Sequence, residues 1–104
     1  MGFGNMKNMM KQAQKMQADM ARVQKELEDK EVEATSGGGV VRIVVSGKLE
    51  IKSLSIDKEA IDPEDKELLE DMILGAVNEG LRKAQDMAAQ EMQKVTGGLS
   101  LPGM

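Results

Sequence analysis

The spacing of apolar residues changes twice along the chain, and this change limits the fold more than any other feature. Apolar residues recur every three or four positions in 5–30, every second position in 31–57, and every three or four positions again in 62–95. The first spacing lines one side of a helix, and the second lines one face of a strand. The sequence therefore predicts a helix, a group of strands and a second helix.

The predicted first helix carries an apolar seam at the a and d positions of three heptads. Its members are Met6, Met9, Ala13, Met16, Met20, Val23 and Leu27. A helix over 5–30 is about 39 Å long, which is long for a chain of 104 residues. We therefore expect part of it to project or to pair with a second copy, although the seam could also face the chain's own sheet. Core or dimer packing is predicted for Met9, Met16, Met20 and Val23.

Residues 31–57 predict three consecutive strands joined by tight connections, which is an antiparallel meander. Gly37–Gly39 forms the first turn, and the second is a short hairpin at 46–48, where Gly47 is able to take a positive φ. The apolar parity switches between Ile51 and Leu54. This switch predicts a β-bulge near Lys52 and Ser53.

The predicted second helix covers 62–95, with Asp62 as N-cap and Pro63 at the first helical position. A row of small residues, Ala76, Gly80 and Ala84, predicts close approach to another backbone and core or dimer packing. Residues 96–104 form a tail too short to fold alone. The predicted class is α+β: one two-layer domain over 1–104 with α-β-β-β-α order, which we expect to dimerise because so small a core buries limited surface.

The amino-acid composition excludes several classes of function. The chain has no Cys and no His, so thiol nucleophiles, catalytic triads, imidazole bases and zinc fingers are excluded. With one Phe and no Tyr or Trp, stacking on unpaired bases is disfavoured, although RNA is not ruled out as a partner. No apolar run approaches the length of a membrane span. We expect no enzyme, no cofactor, no metal, no membrane contact and no small-molecule substrate.

The net charge of −4 hides a basic N-terminal segment. Residues 1–25 contain one acid, Asp19, and the heptad places every base of this segment on the side opposite the seam: Lys7, Lys11, Lys15, Arg22 and Lys25. Asn and Gln side chains lie between them. Such a face suits a duplex backbone, because cations displace condensed counterions and amides hydrogen-bond phosphate. A solvated outer face or a membrane-surface helix are the competing interpretations.

Four segments resemble the YbaB/EbfC family of bacterial nucleoid-associated proteins. They are MKNMMKQAQKMQ at 6–17, VRIVVSGKLEI at 41–51, LSID at 54–57 and GGLSLPG at 97–103, so the resemblance covers essentially the full chain. It implies an α-β-β-β-α fold, a homodimer whose helices project like the arms of tweezers, DNA binding and a place on the cytoplasmic nucleoid. It also implies no enzymatic reaction. No short motif of the family assigns individual DNA contacts.

Two functional hypotheses follow. The first is a homodimer that clamps double-stranded DNA between basic helix faces with low to modest sequence specificity. The second is a dimeric scaffold or chaperone-like clamp whose Met-lined surface grips protein segments, because methionine surfaces adapt to many partners. Exposure of the methionine seam discriminates between them.

Overall fold

A computed structural model describes the backbone of residues 2–96 and the side chains of residues 6–95. Helix α1 covers Gly2–Asp29, strands β1, β2 and β3 cover Glu31–Ser36, Val41–Ser46 and Ile51–Ile56, and helix α2 covers Lys66–Thr96. The strands form an antiparallel sheet in the order β1-β2-β3. This confirms the predicted α-β-β-β-α fold, whereas the dimer stays a prediction. Residues 97–104, which make up nearly all of the predicted tail, lie outside the described residues.

The core lies between α2 and one face of the sheet. The alternate residues Val41, Ile43 and Val45 of β2 are fully buried on this face, and Ala34 of β1 lies beside Ile43. Because α2 covers only this face, the molecule has two layers, and the opposite face is open to solvent.

Small residues bring α2 close to the sheet. Ala76 and Ala84 are fully buried, and Gly80 is buried between them. A Cβ added to Gly80 would lie 2.9 Å from Cγ2 of Val45 and 3.1 Å from Cγ2 of Ile43. The row therefore packs in the protomer's own core, where branched side chains of β2 occupy the space that a larger residue would need.

The bulge is confirmed, and a short hairpin connection joins β2 to β3, although its bounds differ from the prediction. Val44 pairs with Ser53 and Val45 pairs with Ile51, so Lys52 is the extra residue. The connection covers four residues, and its positive φ falls at Leu49 (66°). Gly47 does not have a positive φ. It is required instead for close approach, because its added Cβ would lie 2.6 Å from the Leu27 carbonyl oxygen.

The N-terminus of α2 also differs in detail from the prediction. Asp62 accepts a hydrogen bond from the backbone N–H of Glu64 at 3.0 Å, as expected of a cap. However, Pro63–Asp65 forms a 3-10 turn, and the α-helix starts at Lys66. No helix in the described part of the chain is long and apolar enough to cross a membrane.

Candidate nucleic-acid interface

Helix α1 divides into a packed base and an exposed arm. At the base, Val23 and Leu27 are buried, and Met16 and Met20 are partly buried. Every side chain from residue 6 to residue 15, which we call the arm, is exposed, and Met9 is 67% exposed. The arm extends beyond the two-layer core, and the protomer is 76 Å along its longest axis. Of the predicted packing residues, Met9 therefore has no packing role within one protomer.

Three lysines form a row along the arm. Lys7, Lys11 and Lys15 are each one helical turn apart, so the row is about 12 Å long. Among the described residues no carboxylate lies within ion-pair distance of any of them. Residues 1–18 also contain no acid in sequence. The row is therefore a linear set of exposed cations, none of which is paired with a described carboxylate.

The other two predicted contacts, Arg22 and Lys25, lie nearer the base and differ from each other. The Arg22 guanidinium lies 3.4 Å from Oδ1 of Asp19 and 3.7 Å from Oε1 of Glu26. Its charge is therefore balanced by neighbours on the same helix. Lys25 is exposed and has no ion pair with a described carboxylate. Asp19 lies three residues before Arg22 and Glu26 lies four residues after it, so these two ion pairs could have been predicted from the sequence.

A second cluster joins the base of α1 to the end of α2. Lys30 donates to Oε1 of Glu91 at 2.7 Å, and Lys94 donates to the same oxygen at 3.2 Å. The hydrogen bond from Lys30, followed by that from Lys94, holds the pKa of Glu91 below its usual value. The cluster borders a cleft of about 680 Å³ between the two helices, which Lys15 and Arg22 also line. Sequence reasoning missed this cluster because nothing local links positions 30 and 91.

The basic residues in the C-terminal half of α2 are engaged with neighbours. Arg82 pairs with Glu79, and Lys83 donates to the carbonyl oxygen of Glu33 at 3.1 Å. Lys94 is bound to Glu91 as described above. These cations are therefore less available to an external anion than the row on the arm.

A group of acidic residues lies at the end of the molecule opposite the arm. The hydroxyl of Ser36, at the far end of β1, donates to the carbonyl oxygen of Met72 at 2.6 Å, which fixes the N-terminal part of α2 there. The arm begins from the other end of β1. The first turns of α2 and the 3-10 turn before it carry Glu64, Asp65, Glu67, Glu70 and Asp71. The exposed lysines of the arm and this acidic group therefore lie at different ends of the molecule.

Within residues 2–96, no three acidic, His or Cys side chains come together as metal ligands. A second, smaller cleft of about 270 Å³ lies at the β2–β3 connection, where Lys48 pairs with Glu28 of α1. This pair lowers the pKa of Glu28 and raises that of Lys48, chiefly through their hydrogen bond. Its effect is to fasten α1 to the sheet.

The chain is similar in sequence to proteins described as nucleoid-associated. A nucleoid-associated protein from Pelotomaculum thermopropionicum is 59% identical over 101 residues, covering 97% of this chain and 96% of the relative. Another from Ruminiclostridium cellulolyticum is 58% identical over 105 residues, covering 99% and 91%.

A solved structure shares the fold. An uncharacterized protein from Helicobacter pylori superposes with a TM-score of 0.64 over 75% of this chain and 90% of that one, at 24% sequence identity. Residues 1–99 match the YbaB/EbfC DNA-binding family. With a match over nearly the whole chain and relatives of this identity, the protein belongs to the YbaB/EbfC DNA-binding family.

Proposed function

We propose that this protein is a non-enzymatic, nucleoid-associated DNA-binding protein whose arm contacts the phosphates of duplex DNA. The observation that carries the proposal is the row of Lys7, Lys11 and Lys15, exposed and without a carboxylate partner among the described residues. A row of about 12 Å faces roughly three or four phosphates of one strand. Lys25 extends the same contact toward the base, and the balanced Arg22 contributes less.

We propose further that two copies form a homodimer whose arms hold the duplex between them. A single arm offers three unpaired cations, and two arms offer six. Because most of the contacts would be to phosphate, specificity is expected to be low to modest. The Asn and Gln side chains of the arm supply hydrogen bonds that fix its position on the backbone. Cytoplasmic localisation on the nucleoid follows from DNA as the partner.

Salt dependence tests the electrostatic part of the proposal. Each neutralised phosphate contributes about −0.9 to the slope of log affinity against log salt, so six lysines predict a slope near −5. The measurement is fluorescence anisotropy of a labelled duplex over a salt series. A slope close to zero would refute phosphate contacts as the source of affinity.

A matched pair of triple variants tests the location. Lys7→Glu, Lys11→Glu and Lys15→Glu together should weaken duplex binding at least about a hundredfold. The control replaces Arg42, Lys58 and Lys66 by Glu, which gives the same net charge on surfaces away from the arm. If both triple variants lose affinity equally, net charge and not the row controls binding. If the arm variant binds normally, the interface lies elsewhere.

The nature of the nucleic acid is tested with competitors. Duplex DNA should compete better than single-stranded DNA of equal length, because the chain has one Phe and no Tyr or Trp for base stacking. Equal competition by A-form RNA duplex would show that the arm reads phosphate charge without distinguishing the two duplexes.

A second function, a clamp for protein segments, is favoured by one observation. Met6, Met9 and Met10 are between 61% and 67% exposed on the arm, so the methionine surface is accessible in the protomer. Titration with an amphipathic helical peptide separates the two functions. Replacing Met6 and Met9 by Gln should abolish peptide capture if the clamp exists, and should leave phosphate-driven DNA binding largely intact.

A further inference from the structure

Methionine is the only sulfur-containing residue type of the chain, which has ten methionines and no Cys. A peroxide therefore finds its sulfur targets among the methionines, and it reaches the exposed ones first. Three methionines of the arm, Met6, Met9 and Met10, are between 61% and 67% exposed. The other methionines with described side chains are all partly buried: Met16, Met20, Met72, Met87 and Met92. Among the described residues, exposed thioether sulfur is thus confined to the arm.

The two groups also differ in what oxidation would disturb. A sulfoxide turns a flexible apolar side chain into a polar one, which disrupts a packed core. Met72 packs against the core, and its sulfur lies beside Gly37 in the connection between β1 and β2. On the arm every side chain from residue 6 to residue 15 is exposed, so water can hydrate a sulfoxide oxygen there. Within one protomer, oxidation is therefore tolerated on the arm and not at Met72.

Met6 and Met9 lie on the side of α1 that is turned away from the lysine row. Lys11 marks the centre of the row, and at 3.6 residues per turn Met6 and Met9 lie about 140° and about 160° around the helix from it. Met10 lies about 100° from it, at the border of the two sides. A duplex held along the row therefore leaves Met6 and Met9 facing solvent. Because a sulfoxide is uncharged, oxidation also leaves the charge of the row unchanged.

We propose that Met6, Met9 and Met10, the arm methionines, are a site of reversible oxidation by hydrogen peroxide, and that the protein stays folded and bound to DNA when they are oxidised. The selectivity for the arm stands on exposure alone, whereas the part that concerns DNA rests on the proposed function. Since the arm also carries the lysines, sulfur that consumes peroxide is held about 10 Å, one helix diameter, from the duplex.

The oxidation step needs no reactant besides the peroxide. The thioether sulfur donates an electron pair to one peroxide oxygen, so an S–O bond forms as the O–O bond breaks. The second oxygen leaves as hydroxide, takes the proton from the first and becomes water. The sulfur is oxidised by two electrons, and the peroxide is reduced by the same two. A methionine sulfoxide reductase, which oxidises two thiols to a disulfide, restores the thioether and releases water.

Peptide mapping by mass spectrometry tests the selectivity. The full chain is treated with a series of hydrogen peroxide concentrations, the reaction is stopped with catalase, and the sulfoxide at each methionine is quantified. The arm methionines should be oxidised at least about fivefold faster than Met72 and Met87, because these two are partly buried. Equal rates for the arm methionines and for Met72 and Met87 would overturn the proposal.

The same mapping in the presence of a saturating duplex tests the placement of the arm methionines. Met6 and Met9 should react within about twofold of their rates in the free protein, because they face away from the lysine row. Strong protection of Met6 and Met9 by the duplex would overturn the proposal, since it would show that the methionine side of the arm meets the DNA.

Fluorescence anisotropy and sedimentation equilibrium test whether oxidation is tolerated. Protein oxidised only at the arm methionines should keep its oligomeric state, and its affinity for duplex DNA should stay within about twofold of that of untreated protein, with the same salt slope. Loss of affinity or of the oligomeric state would overturn the proposal, because it would show that the arm methionines pack in an interface.

A matched pair of variants separates the arm methionines from the others. Replacing Met6, Met9 and Met10 by Leu keeps volume, apolar character and charge, so this variant should bind DNA as the wild type does but lose the fast phase of peroxide uptake. The control, Met16→Leu with Met20→Leu, should keep the fast phase. A fast phase without DNA binding would remove the proposed function and leave the oxidation site. DNA binding with the predicted salt slope but without a fast phase would remove the oxidation site alone.

Discussion

Replacing Gly by Ala should change the free energy of unfolding differently at two positions of α2, Gly75 and Gly80. Replacing Gly by Ala within a helix stabilises it by about 1 kcal/mol at either position, because Ala has less backbone freedom to lose. Gly75 has no heavy atom within 4 Å of an added Cβ, so Gly75→Ala should raise the free energy of unfolding by nearly this amount. At Gly80 the added Cβ lies 2.9 Å from Val45 and 3.1 Å from Ile43, both buried.

Overpacking of this kind costs about 1–3 kcal/mol, so Gly80→Ala should be neutral to destabilising by about 2 kcal/mol. Helix propensity cancels when the two variants are compared, and their difference, about 1–3 kcal/mol, isolates the steric contact between α2 and β2. The assay is urea unfolding followed by circular dichroism at one fixed protein concentration, since an oligomer's stability depends on concentration. Equal stabilisation by both substitutions would refute the close seating of α2.

Two further predictions concern the junction between α1 and the rest of the fold. The pKa of Glu91 is lowered by Lys30 and Lys94, so its charged form stabilises the fold above its unfolded pKa, and this stabilisation is lost as the pH falls through the lower folded pKa. Glu91→Gln should therefore be less stable than wild type near neutral pH, and urea unfolding at about pH 3 should show a smaller gap; a gap independent of pH would contradict the pairing. Gly47→Ala should cost about 3 kcal/mol or more in urea unfolding, because its Cβ would lie 2.6 Å from the Leu27 carbonyl oxygen and 2.8 Å from its side chain. Wild-type stability in this variant would mean that α1 does not cross the hairpin so closely.

The local spacing of apolar residues was sufficient to predict the helices and strands of the fold. Met and aliphatic residues at heptad spacing located α1, and alternation located the strands. The parity switch at Ile51 and Leu54 located the bulge at Lys52. These features depend on residues within a few positions of each other, so the sequence displays them directly. Gly47 was misread because a glycine required for a positive φ and a glycine required for close approach look alike in one dimension.

The arrangement of charged residues likewise depends in part on local sequence and in part on the tertiary fold. The sequence by itself determined the lysine row of the arm, because residues one turn apart on a helix must share a face and no acid occurs in 1–18. The tertiary structure alone decided the pairings that join distant positions. It brought Glu91 to Lys30 across 61 positions and the carbonyl oxygen of Glu33 to Lys83 across 50.

Packing was likewise decided in three dimensions. The sequence determined that Ala76, Gly80 and Ala84 form one narrow stripe, but it did not specify what fits against it. The fold placed β2 there and left the apolar face of β3 uncovered. One α-helix is wide enough to cover about two strands spaced about 4.8 Å apart. A single helix packed on a three-stranded sheet therefore leaves one strand uncovered. Which strand stays uncovered is decided only when the helix packs on the sheet.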